Sequence, residues 1–426
     1  MAFYPSLIAL AFMAFAVLVM SIEFTEPVSW LKERLSLIMV KDPADARLVL
    51  GTIIGSIISL MVFSFSMVMV VLNQISGALS PRVVPGLITN KSHQIVLGIY
   101  LGTILYSLLL VLNMQDANSI EKLPALGILF SMAAAMVSLL MFVYFIHSIS
   151  NSIQVDYIVN RIYRKTIKKM EEKGSEQINE LPDTSKWSEL KLNDPGFLKR
   201  IETKRIRAIC EREDIQVYIT RRIGYYFVEG YPIMKVNKEV SEEVGKELLD
   251  CLMFYIEEHV EDHYLFGFKQ LNEIAVKALS PGINDPGTAA KVINLMSDLF
   301  VTRLRIKDFL VYRDSDKKPR IYAEEPTLNE LFLNNLIPIR EYGKKDAHTL
   351  FTLLLSLKNI LRADCLDGKE KKVVIQFTRS VVETCDHELS NSLDKNFINE
   401  VIELINEQVG NDDRIEFLNT SREKEI

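Results

Sequence analysis

Over the stretches 48–72, 95–111 and 123–146 the chain carries no Asp, Glu, Lys, Arg or His, and a further apolar stretch opens it at 3–22. A chain leaves water for hydrocarbon only where its side chains are apolar and its backbone bonds to itself as helix. A span needs about 20 such residues, and the segments 3–22, 48–72, 95–113 and 123–146 all meet that requirement. Residues 1–150 therefore read as a membrane α-helical bundle of four transmembrane helices. Charge is concentrated in the remainder, which reads as an α+β cytoplasmic domain, mostly helical with a small β module.

No Lys or Arg precedes the first stretch, and Phe24-Thr25-Glu26-Pro27 is a poor cleavage site, so the segment reads as a retained helix. An even number of spans puts both termini on one side. Arg82 and Lys91 follow the second span, and Arg161, Arg164, Lys165, Lys168 and Lys169 follow the fourth, whereas the connection 116–122 has a single basic residue. Basic residues stay inside, so the expected location is an inner membrane with both termini cytoplasmic. Lys32, Arg34 and Lys41 in the first connection run against this, unless Trp30, Leu31, Leu35, Leu37 and Ile38 lie as an amphipathic helix in the outer interface.

Small residues recur at four-residue steps in three spans: Gly51, Gly55 and Ser59; Gly98 and Gly102; Gly127, Ser131 and Ala135. Such spacing lets helices approach closely in lipid. It serves packing within one four-helix unit, the commoner use, or contact between subunits of a homo-oligomer. The second span continues without a break toward Ser80, roughly 50 Å as helix at 1.5 Å per residue. Ser66, Asn73, Ser76 and Ser80 fall near one face of it and are candidate pore-lining residues. The alternative is a helix end that has left the bilayer and is simply wet. Proton pumps and ion-coupled carriers place ionisable groups at membrane depth, and their lack here leaves a channel open while counting against those classes.

Residues 151–195 read as a helical connector and loop, 196–237 as the β module and 238–426 as a helical bundle. Strands are expected at 197–201 and 215–219. The stretch 226–236 is similar to the hairpin of lipoyl- or biotinyl-type small barrels, without the lysine such a turn modifies. Helices are expected at 239–259, 264–279, 286–304, 328–340, 347–361, 371–389 and 396–409, with a short hairpin within 312–325.

At the centre of the bundle stands Ala278-Leu279-Ser280-Pro281-Gly282-Ile283-Asn284-Asp285-Pro286. Pro281 stops the incoming helix and Gly282 offers a left-handed residue. Asp285 caps the next helix, with Pro286 at its first position. Ala78-Leu79-Ser80-Pro81 echoes Ala278-Leu279-Ser280-Pro281.

These two stretches, with Phe266-Gly267-Phe268-Lys269-Gln270-Leu271, Gln74, Ser80-Pro81-Arg82, Leu97-Gly98, Leu101-Gly102, Tyr106 and the segment 337–343, resemble an uncharacterised family of bacterial predicted membrane proteins. The resemblance covers most of the chain and implies an architecture without an activity.

Chemistry is sparsely signalled. His259 and His263, four apart on an expected helix and flanked by carboxylates, have metal-ligand spacing but lack the glutamate of a His-Glu-x-x-His site; an acidic helix end is the favoured reading. Asn284 and Asp285 have sufficient structural work in their turn. No phosphate loop, dinucleotide fingerprint or nucleophile elbow is present, so neither enzyme nor cofactor is expected. The four cysteines are scattered, and the net charge of −6 argues against nucleic acid. The expected partners are the lipid bilayer, further copies of the chain, and ions or a small ligand. The expected function is an oligomeric channel regulated by its cytoplasmic domain through an elbow of Pro81 and Arg82 with Ser280, Pro281, Asn284 and Asp285. The alternative is a non-conducting scaffold or sensor whose bundle binds a partner.

Overall fold

The computed structural model describes residues 3–23, 34, 39–78, 91–114, 123–152, 154–172, 177–178, 180–255 and 258–420. The interfacial helix expected at 30–38 and the residues Ser80, Pro81 and Arg82 lie outside them. The chain divides into two compact units, one built from the four apolar helices and one made of the described residues from Val155 on together with Ala78 at the end of the second apolar helix.

The membrane unit contains α1 (Phe3–Ile22), α2 (Pro43–Ala78), α3 (Lys91–Asn113) and α4 (Ala125–Ser152), each long and apolar enough to cross a bilayer. Helices α1 and α3 meet at the glycines of α3. A Cβ at Gly102 would stand 2.7 Å from the Phe12 ring, and one at Gly98 2.9 Å from Ile8. Between α3 and α4 the contact is polar at three levels: His93 to Ser148 at 3.3 Å, Thr103 to Ser138 at 3.2 Å and Ser107 to Ser131 at 2.7 Å. Interhelical bonds of this kind contribute about 0.6–2 kcal/mol each in hydrocarbon.

Two charges close one end of this unit. The Glu23 carboxylate accepts from the backbone N–H of Leu126 at 2.9 Å and of Gly127 at 3.1 Å, satisfying the first turn of α4. Arg47 donates to the Met114 carbonyl at 2.8 Å, where α3 ends. An anion at a helix N-terminus and a cation at a C-terminus each match the macrodipole.

In the second unit, α5 (Val155–Glu171) packs on the bundle helices α8 (Leu265–Ala278) and α9 (Pro286–Arg303). The fit at Gly267 is close: a Cβ there would overlap the Thr166 side chain. The strands are β1 (Gln177–Ile178), β2 (Ser188–Lys191), β3 (Gly196–Ile201), β4 (Val217–Ile219), β5 (Tyr226–Phe227), β6 (Pro232–Val236), β7 (Leu252–Phe254), β8 (Phe309–Arg313) and β9 (Pro319–Glu324). They form a six-stranded sheet in the order β1-β8-β9-β4-β6-β2 and a three-stranded sheet in the order β5-β3-β7. Helices α6 (Thr203–Arg212) and α7 (Glu242–Leu249) cover one core, of which Val217, Ile219, Ile233, Met234 and Ile321 are part.

Three expectations need correction. The β structure is not confined to 196–237, because β1, β2, β8 and β9 join it from either side. The residues 226–236 do turn at Gly230, which has φ +76°, but β5 pairs with β3 while β6 pairs with β4 and β2. They are therefore not one hairpin. The helix expected over 239–259 stops at Leu249, and Leu252–Phe254 instead extends along β3, Leu198 facing Phe254 and Ile201 facing Leu252. Strand pairing with a distant partner overrides a local helical pattern.

The bundle continues with α10 (Leu328–Gly343), α11 (Ala347–Leu361), α12 (Gly368–Glu388) and α13 (Ser392–Asn406). Helix α10 tolerates Pro338 in its interior. The proline lacks the N–H that would bond the Asn334 carbonyl, and the Asn272 amide of α8 donates to that carbonyl at 3.4 Å instead. Arg303 is 1% exposed and donates to the backbone carbonyls of Pro326 and Ile306 and to Asp308, pinning the segment between α9 and α10.

Lys199, 2% exposed, lies 2.6 Å from Glu258, which also holds Lys269 at 2.8 Å. Burial pushes the Glu258 carboxyl up, and the two ammonium groups more than reverse this, leaving it below its usual value of 4.5. Glu258→Gln strands a buried lysine and is expected to lower the unfolding free energy by about 3–5 kcal/mol, measured by denaturant titration. Because the folded value is the lower one, the wild-type contribution is present above pH 4.5 and is lost as pH falls through the folded value. The variant should lack that part of the acid transition.

Candidate functional site

Helix α2 runs for 36 residues, about 54 Å at 1.5 Å per residue and well beyond a hydrocarbon core of about 30 Å. Its buried seam is narrow: Ala46, Leu50, Ile57, Ser64 and Val71, the last four spaced by seven. A helix drifts only about 20° per seven residues, so these positions make one line along its length. Two residues on, about 200° around the axis, lie Thr52, Ser59, Ser66 and Asn73, and all four are exposed. The side of α2 facing away from its own bundle is thus marked by a hydroxyl or amide every second turn.

The line covers 21 residue steps, about 32 Å along the axis, so it reaches through most of a bilayer core of about 30 Å. The Thr52 hydroxyl donates to the Leu48 carbonyl at 2.7 Å and that of Ser59 to Gly55 at 2.9 Å. Such back-bonds leave acceptor lone pairs directed outward, and the Asn73 amide brings two donors as well. Gly51 and Gly55 lie beside this line, and a Cβ at either would meet nothing within 4 Å. Gly51 and Gly55 thus pack against no described residue, unlike Gly98 and Gly102. Ser76 lies within α2 and its side chain is outside the description, as is Ser80.

The corner 280–285 is a separate feature. Ser280 Oγ donates to the Lys277 carbonyl at 2.6 Å, and the Asp285 N–H closes back on Ala278 at 2.8 Å. The left-handed residue is Asn284, at φ +49°, and not Gly282 as the pattern suggests. Asp285 caps α9 through Thr288, accepting from its N–H at 3.1 Å and its hydroxyl at 2.6 Å, and Pro286 opens the helix. Pro281, Asn284 and Asp285 are exposed.

His259 and His263 share no helix. His259 is exposed, while His263 is buried with Nε2 3.1 Å from the Glu325 carboxylate. The spacing of four loses its meaning once the helix is absent, and no group of three His, Cys, Asp or Glu suited to a metal occurs among the described residues. Glu23 and Arg47 escaped a sequence reading, since nothing local to either marks it as the cap of a distant helix. Thr52 was also missed; it becomes visible once the spacing of seven is known.

Asn284→Val is expected to cost about 1–2 kcal/mol from the left-handed backbone, and Asn284→Gly to cost much less. Thermal unfolding of the two variants tests this.

The family model described as Predicted membrane protein (DUF2254) matches residues 1–359. Uncharacterized proteins of Mycobacterium tuberculosis and Mycobacterium bovis are each 24% identical over 372 residues, 83% of this chain and 70% of theirs. No solved structure matches the chain. With four apolar helices and a model match over most of its length, the chain belongs to the DUF2254 family of predicted membrane proteins.

Proposed function

We propose that the chain assembles through the outward face of α2 into an oligomeric membrane channel, regulated by the second unit. The observation carrying this reading is the line Thr52, Ser59, Ser66 and Asn73 opposite the buried seam of α2. Thr52 and Ser59 satisfy their donors within the helix, but the Asn73 amide facing lipid is costly, and apposing copies of the same helix around a water-filled axis removes that cost. The open glycines at 51 and 55 allow the backbones of such copies to approach. The uncharged spans fit a path that strips or shares water through hydroxyl and amide groups and does not relay protons.

Reconstituted into planar bilayers, the protein should give unitary currents whose reversal potential shifts under unequal salt. Asn73→Leu should reduce the unitary conductance severalfold, and unchanged conductance in an active preparation would remove Asn73 from the path. Gly55→Leu, placed where no described residue stands within 4 Å of an added Cβ, should preserve the fold of the subunit and lower the oligomeric mass seen by native mass spectrometry.

One observation favours the scaffold or sensor reading. Leu393, Phe397 and Leu404 are exposed on α13, a stripe suited to a partner protein. Electrical silence of folded, oriented protein would give that reading the lead.

A further inference from the structure

A cleft lies beside α6 over one edge of the six-stranded sheet's packed face. There Ile219 on β4 and Leu310 on β8 both face Ala323 on the intervening β9, and the three make an apolar floor. The cleft above it measures about 760 Å³, within the second unit. Small-molecule sites commonly have about 300–1,000 Å³.

The charges around this opening are unevenly satisfied. All but one of its carboxylates have partners close by: Glu324 is 2.9 Å from Arg222, Glu325 3.1 Å from His263, Glu172 2.9 Å from Lys169, Asp262 4.0 Å from Arg200, and Glu261 is paired with Lys165. Four cations of the rim are not so matched. Lys204, Arg205, Arg207 and Arg221 make no ion pair with any described residue; Arg207 donates to the Arg313 carbonyl at 3.4 Å and Arg221 to the Tyr231 hydroxyl at 2.7 Å. The Nε of Arg222 is buried and has no acceptor among the described residues. The first turn of α6, which enters the cleft at Thr203 and Lys204, has no side-chain cap from Glu202.

Four uncompensated cations around one concavity repel each other, and confinement by low-dielectric walls concentrates their field. Of the acids in the lining, Glu202 alone has no ion pair among the described residues, so it faces four such cations and positive charge remains in excess. Guanidinium groups present planar pairs of donors that match phosphate oxygens, and helix N–H groups add to the same site. A singly charged carboxylate would leave most of this charge unanswered.

We propose that the cleft binds a phosphate-bearing small molecule of roughly nucleotide size. Its phosphate lies among Lys204, Arg205, Arg207 and Arg221 at the start of α6, and its less polar part lies toward Leu310 and Ala323. This site rests on the second unit alone and not on the channel reading, so a silent bilayer recording leaves it standing.

The test is calorimetric titration of the full-length protein in nanodiscs of zwitterionic lipid with inorganic pyrophosphate, AMP and ATP in turn. Saturable binding of at least one probe is expected, with Kd below about 1 mM. Arg205→Glu combined with Arg221→Glu should weaken it by about tenfold or more, with at most a small fall in the ligand-free Tm, since both side chains are exposed and the only bond lost is that of Arg221 to Tyr231 at the surface. Lys345→Glu, at an exposed lysine outside the cleft, should bind as the wild type does. No saturation of folded wild-type protein by any probe, or binding unaffected by the double variant, would overturn the site. Nanodiscs containing anionic phospholipid, at matched ionic strength, separate two sources of phosphate. Retained probe binding supports a soluble ligand, and its loss would assign the site to a lipid headgroup and overturn the soluble one.

Discussion

A peptide N–H or C=O has no water to turn to in hydrocarbon, and the membrane unit is organised by that constraint. Helix answers it everywhere except at helix ends, where four donors or four acceptors are left over. At one end of this unit the chain supplies the missing partners as full charges from neighbouring helices. Glu23 takes two N–H groups of α4, and Arg47 takes the Met114 carbonyl. Each charge is itself acceptable near the bilayer because a helix dipole opposes it. These contacts tie the end of α1 to the start of α4, and the start of α2 to the end of α3. The hydroxyl pairs between α3 and α4 then hold the same helices together at depth.

Against that background α2 is the exception. Helices α1, α3 and α4 use small and polar residues on one another, whereas α2 keeps only Ala46 and Ser64 of its own in a narrow buried line and turns Thr52, Ser59, Ser66 and Asn73 outward. In an aqueous protein an exposed serine line would be ordinary. In a bilayer its surroundings decide its cost, which is why this face carries the functional reading.

The second unit obeys the same rule about unpaired polar groups by different means. Pro338 removes a helix donor, and Asn272 on another helix replaces it. Arg303 spends its donors on backbone carbonyls of the turns beyond α9. Lys199 and Glu258 are buried together. The exception is again the informative place: around the cleft beside α6, cations outnumber the acids free to meet them.

Much of the fold was legible because its signals are local. An uncharged apolar run identifies a span whatever surrounds it, and α11 appears over Ala347–Leu361 as its periodicity requires. Asp285-Pro286 marks the start of α9 because cap and first turn are adjacent in sequence. What failed was non-local. His259 and His263 were placed on a helix because residues 239–259 have helical spacing, yet β3 draws Leu252–Phe254 into a sheet. The sheet itself has β4 running parallel to β9, a hundred residues on, and no pattern within either strand names the other.

By itself, then, the sequence determined that this chain enters a membrane four times and carries a separate charged unit, since burial of apolar length and solvation of charge are properties of residues taken in order. Only the tertiary structure decided which small residues are spent inside the subunit and which face of α2 is left outward. It alone brought Lys204, Arg205, Arg207 and Arg221 around one cleft. Those outcomes depend on which distant segments pack together, and packing is settled by shape and pairing across the chain.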